Sequence, residues 1–273
     1  MSAFLGLGMT HYPMIIGDDE HMAGVLRWTL QDPDIPDEAK DTANWPASMV
    51  ADWSDDDGAA AAARHRDALR VNLAKCREAL DAFQPDLVVV WGDDQYENFR
   101  EEVVPPFCVL AYDDLDVHPF TMVNEQGNPN YWGLPKDSTF VLHGDAAASR
   151  SLVDALLVDG FDMAYSYRKR EGEKFPHSIM NTQLFLDYDN VGRGFPYPIV
   201  PMTVNCYGEH AIARRGGFTR FADIAVEQLD PAGPSPKRCF DLGRAVARAY
   251  RDTDKRIAMV ASSSWSHACL LYT

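Results

Sequence analysis

The sequence predicts a single α/β domain with a mixed or mostly parallel central sheet flanked by helices. Three observations carry this expectation. Short apolar runs alternate with helical stretches along the chain, as they do in strand–helix units. The run Leu87-Val88-Val89-Val90-Trp91 is apolar at every position, as in a strand covered on both faces. No linker, internal repeat or low-complexity tract divides the 273 residues, a length that suits one large domain or two small ones.

Residues 3–9 are apolar and end at His11-Tyr12-Pro13, which predicts a first strand running into a loop. Residues 18–58 are rich in Asp, Pro and Trp and read as a long excursion with short helical pieces. An alanine-rich start and apolar Leu69, Leu73, Cys76, Leu80 and Phe83 predict a helix over 59–83. Within it, His65 between Arg64 and Arg66 reads as a solvated face. Asp55 to Asp57 read as a solvated helix N-terminus, where acidic residues complement the dipole. Pro85 ends the helix and strand 87–91 follows. Residues 107–112 form a second apolar run, expected beside it. Residues 139–143 read as a strand leading through Gly144 into a helix at 146–159. A short strand is expected at 163–167 and a helix at 178–188, under a loop carrying His177. Residues 197–205 read as a strand made edge-like by Pro201, which lacks an N–H for the ladder. Residues 208–237 are loop-rich, 238–251 form an amphipathic helix, and 257–262 form the last strand.

A net charge of −16 and an isoelectric point of about 4.8 argue against nucleic acid and anionic membrane surfaces, which bind through clustered Lys and Arg. The five cysteines are scattered, without paired zinc-like spacing, as expected of reduced thiols. The N-terminus lacks a basic signal-peptide region, and no apolar run approaches the ~20 residues of a membrane span. The expectation is a soluble cytoplasmic protein.

His11, the Asp93-Asp94-Gln95 cluster, Asn205 with Tyr207, and His267 each follow an apolar strand candidate. In an open α/β sheet such positions share one edge, where ligands bind. Histidines and carboxylates converging there suit a divalent metal or acid–base chemistry, and equally a polar hydrogen-bonded loop. His21, His118, His143 and His210 carry no supporting pattern and read as surface or packing residues. Gly6-Leu7-Gly8 lacks the rest of a dinucleotide fingerprint. Trp91, Tyr96, Tyr207 and Trp265 near the strand ends suit a flat ring, or the core.

With these residues in view, the chain resembles the class III extradiol ring-cleaving dioxygenases, in particular the catalytic beta subunit of protocatechuate 4,5-dioxygenase. Thr10-His11-Tyr12-Pro13 is similar to that family's Ser-His-x-Pro. Residues 85–99, with Gly92-Asp93-Asp94-Gln95, are similar to its strand followed by Asn-Asp-His. Pro105-Pro106-Phe107 resembles the segment after it, Pro176-His177-Ser178 its Asp-His-Gly, and residues 198–205 its Val-Ile-Pro-x-Val-Asn strand. Residues 237–243 and 261–267 resemble its last helix and Gly-Gly-x-Ser-His turn. The motifs keep the family's order over most of the chain.

The resemblance implies an open α/β fold and a non-haem Fe(II) site of two histidines and a glutamate, with positions left for a catechol-like substrate and O₂. His11 matches the first ligand and His177 the acid–base histidine. His267 matches a further histidine that contacts substrate or supports the site. The second histidine ligand aligns with Gln95, a weaker donor, with Asp94 beside it as a substitute. The glutamate would lie beyond His267, so residues 1–273 read as the catalytic domain without the family's C-terminal region. The expected consequence is weak iron binding. A homo-oligomer or a small partner subunit is compatible with the family. The leading reading is Fe(II)-dependent extradiol cleavage. The alternatives are a metal-poor homologue acting as a binding or interaction module, and a divalent-metal hydrolase using His11, Asp93 and Asp94.

Overall fold

A computed structural model describes residues 2–33, 35–121, 129–191, 194–204 and 231–263. Six strands form the main sheet: β1 (Ala3–Met9), β2 (Leu87–Gly92), β3 (Phe107–Leu110), β6 (Ala164–Ser166), β7 (Ile199–Val204) and β8 (Arg256–Ser262). Their order is β1-β8-β2-β7-β3-β6. The first four are mutually parallel, β3 runs antiparallel to β7, and β6 is parallel to β3. The expected mostly parallel, mixed sheet is therefore present.

Its helices follow the sequence pattern. Four short ones occupy the early excursion: α1 (Asp19–Met22), α2 (Gly24–Gln31), α3 (Asp37–Lys40) and α4 (Ala47–Trp53). The long α5 spans Ala59–Phe83, and the Asp56 carboxylate accepts the Gly58 and Ala60 N–H groups at its start. Then come α6 (Ala146–Val158), α7 (His177–Leu186) and α8 (Pro236–Arg251). Alternate residues of β2 point to opposite faces. Val88 and Val90 join Leu73 and Leu80 of α5 and Ile179 and Phe185 of α7. Leu87 and Val89 join Leu156 of α6 and Val246 of α8. Helices cover both faces, which is why this strand is apolar throughout. All ten residues of α7 are buried, because the helix lies between α5 and the sheet. None of the described helices is long and apolar enough to cross a membrane.

Four local expectations need correction. The strand holding Pro201 is internal, between β2 and β3. Ile199 bonds away from β2, to His143 and Asp145, and alternate residues bond to the same side. Pro201 thus turns its missing N–H to that side, in the gap before Met202 pairs with Val109 of β3. Strand β3 neighbours β7 rather than β2, because β7 lies between them. The 139–143 strand is shorter and pairs outside the main sheet: β5 (Phe140–Leu142) forms an antiparallel ribbon with β4 (Leu115–Val117), which the sequence pattern did not reveal. Finally, Arg66 is not on a solvated face. It is 1% exposed and bonds the carbonyls of Ile15 and Gly17, the Asp19 carboxylate and the Tyr188 hydroxyl. Arg64 and His65 are exposed and fit that reading.

Candidate active site

Because β1, β8 and β2 run parallel, their carboxyl ends at Met9, Ser262 and Gly92 share one edge. The segments that leave this edge bring His11 and Asp93 together, and α7 packs beneath them with His177 as its first residue rather than in a preceding loop. The His11 and His177 rings stand 5.2 Å apart, nearly perpendicular, with exposures of 1% and 2%. Asn205, Tyr207, His210, Trp265 and His267 lie outside the described residues.

Hydrogen bonds fix how His11 presents itself. Ser262 Oγ donates to the Ser178 carbonyl at 3.0 Å, so its single proton is used. The 3.2 Å contact between Ser262 Oγ and His11 Nδ1 must then be donated by the ring. Burial lowers the His11 pKa, against the opposing charge of Asp93, and in the resulting neutral ring the lone pair sits on Nε2. That nitrogen faces Asp93 Oδ1 at 3.6 Å. Asn181 Nδ2 anchors the His11 carbonyl at 3.1 Å. Asp93 is anchored through its backbone, since Ser178 Oγ accepts its N–H at 3.0 Å and donates to its carbonyl at 2.5 Å.

The next residues turn the chain back. Asp94 directs its carboxylate at the N–H groups of Glu97, Asn98 and Phe99. Burial, with the nearby charge of Glu97, pushes its carboxyl up to about 7. Gln95 donates to Asp93 Oδ2 at 3.3 Å. Tyr96 takes a left-handed φ of 61°, an uncommon conformation for a residue other than glycine. Glu97 thereby reaches His177, accepting its backbone N–H at 3.1 Å on each oxygen and contacting Nδ1 at 3.0 Å. Burial works against protonation of His177, but the charge of Glu97 and its hydrogen bond outweigh it, and the pKa is raised.

The donor chemistry can be tested against a divalent ion. A ring nitrogen lone pair and a carboxylate oxygen 3.6 Å apart suit two adjacent ligands at roughly 2.1 Å from one ion. Among the described residues no group of three His, Cys, Asp or Glu is placed to hold a metal. The described chain thus offers one edge of a coordination shell, His11 with Asp93. Glu97 and Ser262 were not singled out from the sequence. The signal for Glu97 was the Asp-x-x-Glu spacing from Asp94, which resembles a capping box.

No family model matches the chain. Among curated proteins it is similar to 2,3-dihydroxyphenylpropionate/2,3-dihydroxicinnamic acid 1,2-dioxygenase 2 of Pseudomonas putida, 26% identical over 70% of this chain and 46% of that protein. Proteins named 2,3-dihydroxyphenylpropionate/2,3-dihydroxicinnamic acid 1,2-dioxygenase are also similar: that of Photorhabdus laumondii at 26% identity over 70% of this chain and 45% of its own length, and that of Burkholderia vietnamiensis at 28% over 70% and 46%. The chain spans about half the length of the curated relatives it matches. These three are named as dioxygenases of 2,3-dihydroxyphenylpropionate and 2,3-dihydroxicinnamic acid, and none is named as a protocatechuate 4,5-dioxygenase subunit.

Proposed function

We propose that this chain forms an extradiol dioxygenase site that cleaves a catechol-type ring with O₂. Its ferrous ion would be held from His11 and Asp93 with Gln95 alongside, and His177 would act as the acid–base group. The observation that carries the reading is the buried pair of imidazoles at the carboxyl edge of the sheet, 5.2 Å apart and in different electrostatic settings. His11, kept neutral, presents a lone pair, and His177, backed by a carboxylate, can take and hold a proton. Both oxygen atoms enter the product as a ring carbon–carbon bond breaks, so no external reductant is required. Iron, when bound, supplies charge to dioxygen and holds it beside the diol. His177 takes a proton from a catechol hydroxyl and returns it later. The surrounding burial keeps bulk water from the reacting atoms. Asp93 adds a carboxylate beside the position where the family places its second histidine, and its charge offsets that of the ion.

The motif order favours the protocatechuate 4,5-dioxygenase beta-subunit type, whereas the similar curated proteins are named for 2,3-dihydroxyphenylpropionate. Substrate choice is therefore best tested with both. The chain would be loaded anaerobically with Fe(II), and oxygen uptake followed on a catechol panel that includes them. His177→Gln is expected to lower turnover by roughly two to four orders of magnitude with iron content unchanged, while Asp93→Asn is expected to lower iron content itself. Iron-loaded protein that takes up no oxygen with any catechol would defeat the proposal.

A further inference from the structure

We infer that Glu97 is the positioning residue of the proton-transfer site: by taking both the backbone N–H and the Nδ1–H of His177, it leaves Nε2 as the nitrogen that exchanges a proton with substrate. This inference deepens the acid–base reading of His177 and rests on it.

A histidine at the first position of a helix has two freedoms that would blunt it as an acid–base group. The ring can rotate, and the neutral imidazole can carry its proton on either nitrogen. One carboxylate removes both freedoms. Glu97 Oε1 lies 3.0 Å from Nδ1, and both oxygens lie 3.1 Å from the His177 backbone nitrogen. The backbone contacts matter as much as the ring contact. Pro176, at the N-cap, gives the helix no side-chain cap, and the first turn carries N–H groups that the helix cannot pair. Anchored on one of them, the carboxylate becomes a fixed reference point for the ring.

The loop before Glu97 is shaped for this contact. Asp94 Oδ1 accepts the Glu97 N–H at 2.9 Å, Tyr96 holds its left-handed φ, and the Arg100 guanidinium lies 5.6 Å from the centre of the Tyr96 ring. Glu97 is 6% exposed. The proton balance then has one route. A catechol O–H bond breaks, the proton passes to the Nε2 lone pair, Nδ1–H stays on Glu97, and the same Nε2 proton is later returned. Glu97 touches neither substrate nor metal in this scheme.

The test uses the 273-residue chain in two arms. In the metal-free protein with ¹⁵N-labelled histidine, two-bond ¹H–¹⁵N correlations at alkaline pH report which nitrogen of neutral His177 carries the proton. The unmodified chain is expected to show Nδ1–H, and Glu97→Ala a shift toward Nε2–H. In the iron-loaded protein, Glu97→Gln and Glu97→Ala are expected to lower kcat roughly tenfold to a hundredfold, the usual cost of losing an orienting partner. KM and iron content should stay unchanged, and Gln, which keeps an acceptor oxygen, should lose less than Ala. A neutral His177 protonated at Nε2 in the unmodified chain, or full turnover in Glu97→Ala, overturns the inference. The first arm needs no activity, and its reading of the unmodified chain needs no variant that must fold. If the loaded protein cleaves no catechol, that arm alone decides, and Nδ1–H retained in Glu97→Ala then counts against Glu97.

Discussion

Gly92 closes strand β2 at the point where α7 comes nearest to the sheet. A Cβ added there would lie 2.4 Å from Ser178 Oγ and 2.9 Å from Ile179 Cδ1. The helix would have to retreat, and the paired bonds between Ser178 and the Asp93 backbone would stretch. Gly92→Ala is therefore expected to destabilise the chain by about 1–3 kcal/mol, the usual cost of overpacking, and to displace His177 as well. Urea unfolding gives the first quantity. Oxygen uptake gives the second, and a variant as stable and active as the parent would show that α7 moves freely. At this scale the site was only partly legible. His11, Gln95 and His177 could be singled out because each stands out chemically beside an apolar run or in a motif. Glu97 could not, because the Asp94-x-x-Glu97 spacing marks a turn but not what the turned carboxylate reaches, and the left-handed φ at Tyr96 leaves no mark in composition. The sequence pointed to Asp94 as the substitute ligand, whereas the structure turns Asp93 toward His11 and Asp94 onto neighbouring amides.

At the scale of elements, α5 does more than cover the sheet. Its buried Arg66 bonds the segment just beyond His11 through Ile15, Gly17 and Asp19, and the end of the His177 helix through Tyr188. The guanidinium also lies 4.5 Å from the centre of the Tyr131 ring. One side chain thus sets the spacing between the two elements that carry the paired imidazoles. Arg66→Met is expected to cost roughly 3 kcal/mol, because it strands the buried Gly17 carbonyl, leaves the Ile15 carbonyl to the Tyr188 hydroxyl alone and removes the partner of Asp19. Arg66→Lys should recover little of that, since an ammonium cannot match the planar fork of donors. Urea midpoints of the three proteins check the order, and equal midpoints for Lys and Arg would remove the geometric argument. Periodicity made the helices and most strands legible. It left sheet order hidden, because neighbours in this sheet are distant in sequence, and it left Arg66 hidden, because burial of one arginine among exposed ones depends on what packs against it.

At the scale of the molecule, the last described strand does not take an outer place. Strand β8 lies between β1 and β2, pairing along seven residues with one and five with the other. Until residues 256–262 are made, a growing chain on the ribosome holds β1 without its partner among the described strands and β2 with one bare side. Unpaired strand edges of this kind are templates for association between chains, and pairings between distant segments form slowly. A fragment ending before Arg256 is expected to collect in the insoluble fraction, although it retains His11, Asp93, Glu97 and His177. Sedimentation of the fragment beside the full chain tests this, and a soluble fragment with a cooperative melt would show that β1 finds another partner. Synthesis of this protein therefore carries a risk that persists until β8 is made, and its yield in a cell should follow chaperone supply more closely than message level.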